Sequence, residues 1–265
     1  MMSQIQLEFP WQFNTLQLYD FKRIGKLDRL FEALADPNLP EGGFAEFGVF
    51  RGRSLLSVAY YLKENNQDRN VYGFDSFAGF PEEAKHPKDE TKRFEDFGDS
   101  SLLQMVREHR RLIELRDGGT YDTYTASISK DFSETNLDMI QRLATGLGLS
   151  NVTLVPGAFH ISLPRFESLN PELKISAGII DSDLYLGYTE PLEFFRRHLV
   201  VGGFVYLDEY FSLKFPGAKT AVDEFLKTTF DFELECWKDP HDSTWMRYGL
   251  RRIAFTDHGK EAVVV

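Results

Sequence analysis

Apolar positions along the chain fall into short runs separated by amphipathic stretches. Residues Gly43 to Val49 form one run that enters a glycine turn. From Ser54 the apolar positions Leu55, Leu56, Val58, Ala59 and Leu62 recur at helical spacing until the polar Asn65-Asn66-Gln67. A second run, Val71 to Phe74, ends on Asp75. Further on, a helix is expected over Phe132 to Leu147, with Gly148 as its C-terminal stop, followed by a strand over Val152 to Val155. Strand Ala177 to Ile180, helix Thr189 to Leu199, strand Gly203 to Leu207 and helix Thr220 to Lys227 continue the series. The last two runs, Phe232 to Trp237 and Tyr248 to Phe255, are joined through Asp239-Pro240-His241-Asp242 and read as an antiparallel hairpin. Alternating strands and helices require a mainly parallel sheet with right-handed crossovers. The expectation is a doubly wound, mainly parallel seven-stranded α/β sheet of Rossmann-like type that ends in an antiparallel hairpin.

Two segments stand outside this alternation. Residues 1–40 read as an N-terminal extension with a helix around Leu27 to Leu34, stopped by Pro37 and Pro40. Residues 82–130 are charged and read as a helical lid insertion above the sheet, with a solvated helix around Met105 to Leu115. At 265 residues the whole is expected to form a single domain, 1–265.

Composition narrows the partners. The 30 basic and 41 acidic side chains leave a net charge of −11, which repels nucleic acid and anionic lipid surfaces. No apolar run approaches the ~20 residues of a membrane span. A single cysteine, Cys236, excludes an internal disulfide, and the N-terminus has no leader pattern, so a cytoplasmic protein is expected. With 24 Phe and 11 Tyr, the core and any pocket walls are expected to be aromatic.

The chemistry sits at the strand ends. In a doubly wound sheet, ligands bind in the crevice outside the carboxyl ends of the strands. Gly48 and Gly52 in the turn Glu46-Phe47-Gly48-Val49-Phe50-Arg51-Gly52 let backbone N–H groups approach a ligand, and the helix that follows favours a negative group at its N-terminus. Asp75, at the end of the next strand, is placed to accept hydrogen bonds from ribose hydroxyls. Together they point to a nucleoside-bearing cofactor. Asp181 and Asp183 close one strand and Asp208 and Glu209 another. Carboxylates converging on one rim either rise in pKa or share a hard divalent cation such as magnesium, and taken together they favour the metal.

The segments Phe44 to Gly52, Asp75-Ser76-Phe77-Ala78-Gly79-Phe80-Pro81, Val155-Pro156-Gly157-Ala158-Phe159, Asp181-Ser182-Asp183-Leu184-Tyr185 and Gly202 to Tyr210 resemble the macrocin O-methyltransferase family, which methylates sugar hydroxyls. The resemblance runs in order from about Phe44 to Phe225, without a match in the first forty residues, in Glu82 to Thr120 or in the tail. It implies a class I methyltransferase fold, S-adenosylmethionine as cofactor and Mg2+ as the metal. On it, Glu46, Gly48, Val49, Gly52 and Ser54 hold the methionyl end, Asp75 and Ser76 the ribose, and Gly157, Ala158 and Phe159 the adenine. Asp181, also at the cofactor, would bind the magnesium with Asp208 and Glu209 and serve as the catalytic base. The family commonly has two aspartates where this chain has Asp208-Glu209. A metal-bound sugar hydroxyl is acidified and oriented for in-line attack on the sulfonium methyl. The acceptor implied is a small glycosylated molecule.

Other residues receive structural readings. His160 is expected to hydrogen-bond backbone rather than act as base, His241 lies in the hairpin loop, and Cys236 is expected to be a packed side chain. Tyr185, Tyr188 and Tyr210 are compatible with stacking on a sugar or with packing. Phe9, Trp11 and Phe13 hint at a subunit contact, hence a homo-oligomer. Three rival functions stay open: a catechol-type O-methyltransferase, an NAD-dependent dehydrogenase, disfavoured by the lack of close Gly-x-Gly spacing, and a non-catalytic cofactor-binding module.

Overall fold

The computed structural model describes residues 26–89, 132–210, 212, 215–239 and 246–254, together with Gln104, Glu108, Arg111, Leu112 and Leu115. Its elements in chain order are α1 (Asp28–Ala35), β1 (Gly43–Phe47), α2 (Arg53–Glu64), β2 (Val71–Asp75), α3 (Leu137–Gly146), β3 (Val152–Pro156), α4 (Phe159–Leu169), β4 (Ile175–Ile180), α5 (Tyr185–His198), β5 (Leu199–Leu207), α6 (Pro216–Thr228), β6 (Phe232–Lys238) and β7 (Met246–Arg252), with two short 3-10 turns at Glu82–Ala84 and Pro87–Asp89. The seven strands form one sheet in the order β3-β2-β1-β4-β5-β7-β6. β1 to β5 are parallel, β7 runs antiparallel to β5, and β6 antiparallel to β7. This is the expected α/β architecture, hairpin included. Among the described residues no helix is long and apolar enough to cross a membrane.

The alternation of side chains along each strand sorts the core into two layers. Phe44, Ala177, Ile179, Phe204 and Tyr206 pack with α1, α2 and α3 through Leu30, Leu34, Leu55, Leu62 and Ile140. Phe47, Phe74, Ile180, Val205 and Leu207 pack with α4, α5 and α6 through Leu163, Phe166, Phe195 and Val222. The second layer accounts for much of the aromatic content. Phe47 stacks on Phe74 at 4.8 Å and meets Phe159, Phe194 and Phe195 edge-on, an arrangement in which each pair adds about 1 kcal/mol beyond area burial. Glu46 lies on the other face of β1, toward α2, and is fully buried.

Several boundaries differ from the sequence reading, each for a local reason. The helix expected from Phe132 begins at Leu137, because Phe132 has a left-handed φ of +58° and Asn136 caps the helix by accepting the Met139 N–H at 2.8 Å. Gly148 ends it as expected, at φ +64° and with its N–H on the Thr145 carbonyl. Helix α4 was not anticipated. It carries Pro164 in its interior and leaves Ile161 and Leu169 exposed, so its sequence lacks a clean amphipathic stripe. Helix α5 begins at Tyr185 rather than Thr189, and α6 at Pro216 rather than Thr220, with a proline in the first turn where its missing N–H is harmless. Cys236 does lie on a strand, but on edge strand β6 it is exposed rather than packed.

The start of the insertion is fastened to the sheet's helices by a buried carboxyl. Asp89 accepts the Tyr185 N–H at 2.7 Å on one oxygen and the His86 N–H at 3.3 Å on the other, so it caps α5 from a distant loop. Burial pushes it up to about 7. Lys88 reinforces the contact through Glu224 at 2.7 Å and the Tyr185 hydroxyl at 2.9 Å. The helix expected over Met105 to Leu115 falls mostly outside the described residues, as do Phe9, Trp11, Phe13 and His241. The five described positions within 104–115 are helical and exposed.

Candidate active site

The hydrogen-bond ladder of the sheet runs on past the strands and lines up the loops that follow them. Gly48 N–H donates to the Phe74 carbonyl, Gly157 N–H to Asp75, Asp181 N–H to Phe47 and Asp208 N–H to Ile180. The carboxyl ends of β1 to β5 are thereby held at one level. Above them opens a cavity of about 640 Å³. Of the residues predicted from the sequence, Gly48, Val49, Ser54, Asp75, Ser76, Gly157, Ala158, Phe159 and Asp181 line it. Glu46, Gly52, Asp208 and Glu209 do not line it.

The glycine turn is held by Asp75. One carboxylate oxygen accepts the N–H groups of Val49 at 2.7 Å and Phe50 at 2.9 Å, and the other accepts Phe77 N–H at 2.7 Å. A carboxylate has about four acceptor positions; the fourth is met only by the Ser76 hydroxyl at 3.5 Å, which also reaches the Gly79 carbonyl, so a ligand hydroxyl can compete for it. The segment that follows folds on itself: the Ser76 hydroxyl accepts the Ala78 N–H at 3.1 Å and donates to the Gly79 carbonyl, and Gly79 turns the chain at φ +88°. This places Phe80 and Pro81 on the cavity. Helices α2 and α4 both point their N-termini here, and neither has a side-chain cap. Their first-turn N–H groups favour an anionic or acceptor-rich ligand.

Glu46 is the second fixed point. One of its oxygens accepts the Ser54 hydroxyl, which ties β1 to the first turn of α2. The other is buried without a hydrogen-bond partner. Burial pushes Glu46 up to about 8. Such an orphaned acceptor fits a cationic group arriving from the ligand side, and an α-ammonium is of that kind.

The acids at the ends of β4 and β5 are arranged around an ammonium group. Lys26, just before α1, places Nζ 2.9 Å from Asp208 and 3.7 Å from Asp181, and Tyr206 donates its hydroxyl to the same Asp208 oxygen at 3.2 Å. Burial, then the neighbouring charge of Asp208, pushes Asp181 well above the carboxylate range. Burial acts the same way on Asp208, but Lys26 outweighs it and holds Asp208 below its ordinary value. The two acids share a hydrogen bond, and Lys26 favours the charged form of Asp208 most strongly. Among the described residues no three acidic, histidine or cysteine side chains are gathered to hold a metal. Asp181 and Asp208 come together as predicted, and two carboxylates converging on one cation position are suitable donors for a hard divalent ion. Asp183 is buried at φ +63° and lines the cavity.

The tyrosines serve packing. Tyr188 is fully buried; its hydroxyl donates to the Ile180 carbonyl at 3.1 Å and accepts Glu209 N–H at 2.8 Å, bridging the ends of β4 and β5. Tyr210 donates to Asp223 at 2.8 Å and Tyr185 to Glu224 at 2.7 Å. His160 lines the cavity, and its backbone N–H reaches the Glu190 carboxylate. The sequence reading missed two features of the site. Lys26 carries no motif. Phe50, Phe80 and Phe132 form an aromatic wall, with Phe132 5.3 Å from each of the others, from positions that only the fold brings together. Phe50 and Phe77 both have left-handed φ, +49° and +52°, and such strain clusters at ligand sites.

Known proteins similar to this chain are methyltransferases. A family model described as macrocin-O-methyltransferase (TylF) matches residues 11–120. The match reaches into the first forty residues and the insertion, where the motif comparison found nothing. Demethyldecarbamoylnovobiocin O-methyltransferase of Streptomyces niveus is 25% identical over 239 residues, 89% of this chain and 78% of the relative. The 8-demethyl-8-(2,3-dimethoxy-alpha-L-rhamnosyl)-tetracenomycin-C 4'-O-methyltransferase of Streptomyces olivaceus is 26% identical over 203 residues, 76% of this chain and 64% of the relative. The crystal structure of the calicheamicin methyltransferase CalS11 superposes with a TM-score of 0.60 at 21% identity, covering 95% of this chain and 86% of that one, which shows a shared fold. The chain is an enzyme of the methyltransferase class, and over residues 11–120 it is similar to the macrocin O-methyltransferases.

Proposed function

We propose that the protein transfers a methyl group from S-adenosylmethionine to a hydroxyl of a sugar or glycosylated natural product, with Mg2+ at Asp181 and Asp208, and Glu209 beside them. The observation that carries this reading is one cavity lined by Gly48 and Val49 of the glycine turn, Asp75 and Asp181, the last of which is hydrogen-bonded to Asp208. Both Streptomyces relatives are named for natural products, one of them for a rhamnosyl group methylated at its 4'-oxygen. The methionyl carboxylate would meet the N-terminus of α2 and its ammonium the orphaned oxygen of Glu46. The fourth acceptor position of Asp75 would take a ribose hydroxyl, and the adenine would lie along Gly157 to Phe159. Bound Mg2+ would supply acidity to the acceptor hydroxyl. Asp181, as carboxylate, would take the proton of the acceptor hydroxyl as its oxygen attacks the sulfonium methyl, with S-adenosylhomocysteine as the leaving group.

The test is methyl transfer from S-adenosylmethionine to a panel of rhamnosylated acceptors and simple catechols, followed by mass spectrometry with and without a chelator. A methylated sugar product that disappears with EDTA and returns with Mg2+ is expected. Activity indifferent to EDTA would remove the metal, and methylation confined to catechols would move the acceptor.

A further inference from the structure

The ammonium of Lys26 stands where a cation bound to Asp181 and Asp208 would have to be. It is 2.9 Å from one carboxylate and 3.7 Å from the other, and hard divalent ions sit about 2.0–2.5 Å from carboxylate oxygens. A metal bound to both acids would therefore lie within a few ångströms of Nζ, and two cations repel strongly at that separation in a partly desolvated site. The placement of Lys26 is built rather than incidental. The next residue, Leu27, is buried, and Leu30, Phe31 and Leu34 of α1 anchor the segment in the core layer that contains Phe204 and Tyr206 of β5. The Tyr206 hydroxyl joins Lys26 on the same oxygen of Asp208.

We infer that Lys26 is an internal counter-cation of the Asp181–Asp208 pair that competes with the divalent metal, so that metal binding requires the ammonium to swing out of the pair. The inference rests on the proposed metal reading of these acids. It gives Lys26 two roles. In the metal-free protein it compensates the negative charge held at Asp208 beside Asp181. It also weakens the site's affinity for metal, because each ion bound must break the Lys26–Asp208 ion pair. Lys26 acts here as a positioning residue, through the acids and not on the substrate.

Binding of Mn2+ to the full-length protein, followed by the loss of the free-ion electron paramagnetic resonance signal, tests this without turnover. Lys26→Met, which keeps the length and removes the charge, is expected to bind Mn2+ about tenfold tighter or more than wild type, whereas Lys26→Arg stays close to wild type. Thermal denaturation gives a second readout: Lys26→Met is less stable than wild type without metal and gains more degrees from added Mn2+. Lys26→Gln serves the same comparison if the methionine variant folds poorly. Wild type and Lys26→Met binding Mn2+ equally, or the variant more weakly, overturns the inference while leaving the metal site standing. Absence of Mn2+ binding in every variant at millimolar concentration overturns the metal reading and the inference with it.

Discussion

Gly48→Ala is expected to abolish cofactor binding and to destabilise the protein by about 3 kcal/mol or more. Gly48 has φ +89°, which alanine adopts only with strain, and a Cβ there would lie 2.0 Å from the Asp181 carbonyl oxygen and 2.5 Å from its carbonyl carbon. Both are backbone atoms at the end of β4, which pairs with β1, so relief requires the two central strands to part. The change would also displace Asp181 and the turn N–H groups held by Asp75. Gly52→Ala provides the contrast. Its φ of +80° is also left-handed, but the Cβ would meet side chains, Ile140 at 2.9 Å and Leu56 at 3.5 Å, which can shift. Urea denaturation and titration with S-adenosylhomocysteine should therefore separate the two variants clearly. A Gly48→Ala protein with wild-type stability and binding would contradict the described packing at the end of β1.

Glu46→Gln should flatten the dependence of stability on pH. Glu46 rises from an ordinary 4.5 to about 8 in the folded protein, chiefly through burial, so the folded state holds its proton more tightly than the unfolded state. The sign follows from linkage: the contribution of protonated Glu46 is fully present below about 4.5 and is lost as pH rises to about 8. At ~1.4 kcal/mol per pKa unit the loss is at most ~5 kcal/mol. Melting temperatures between pH 5 and 8.5 should fall more steeply in wild type than in Glu46→Gln, and the variant should be the more stable one at the alkaline end. The same substitution should weaken binding of S-adenosylhomocysteine by about ten- to a hundredfold, as expected when an acceptor that can ionise on meeting an ammonium is replaced by one that cannot. Parallel pH curves for the two proteins would show that Glu46 is ionised in the folded state already.

The sheet was legible in the sequence because strand and helix periodicities alternate cleanly, and the ends of β1, β2, β4 and β5 are marked by glycine or acidic residues where apolar runs stop. The hairpin β6–β7 was legible because its two runs flank a polar Asp-Pro-containing connection. Helix α4 was not, since Pro164 and the exposed Ile161 and Leu169 blur its period. In the site, the residues readable in sequence were those that sit at strand ends, where topology alone delivers them to one rim. Glu46 was assigned to the cofactor on resemblance, and the structure adds that it faces α2 with one oxygen unpaired. The role of Asp75 as the clamp of the glycine turn was invisible, because hydrogen bonds to Val49 and Phe50 depend on how β1 and β2 pair. Lys26 and the Phe50–Phe80–Phe132 wall were equally hidden, since contacts between residues distant in sequence leave no local pattern. Asp208 and Glu209 were both read as metal ligands, with Glu209 as the departure from the family's pair of aspartates. Their neighbours differ: Asp208 faces Lys26 and Tyr206, while the backbone of Glu209 is held by Tyr188.

The central claim is that the cavity above the strand ends is a site for S-adenosylmethionine. Calorimetric titration of S-adenosylhomocysteine into the purified protein tests it most directly, with Asp75→Ala as the comparison, because that change frees the Val49 and Phe50 N–H groups and removes the acceptor for the ribose. The account predicts one site per chain in wild type, with a dissociation constant of about micromolar or tighter, and its loss in Asp75→Ala. No heat of binding in wild type at millimolar ligand, or equal binding by both proteins, would contradict it.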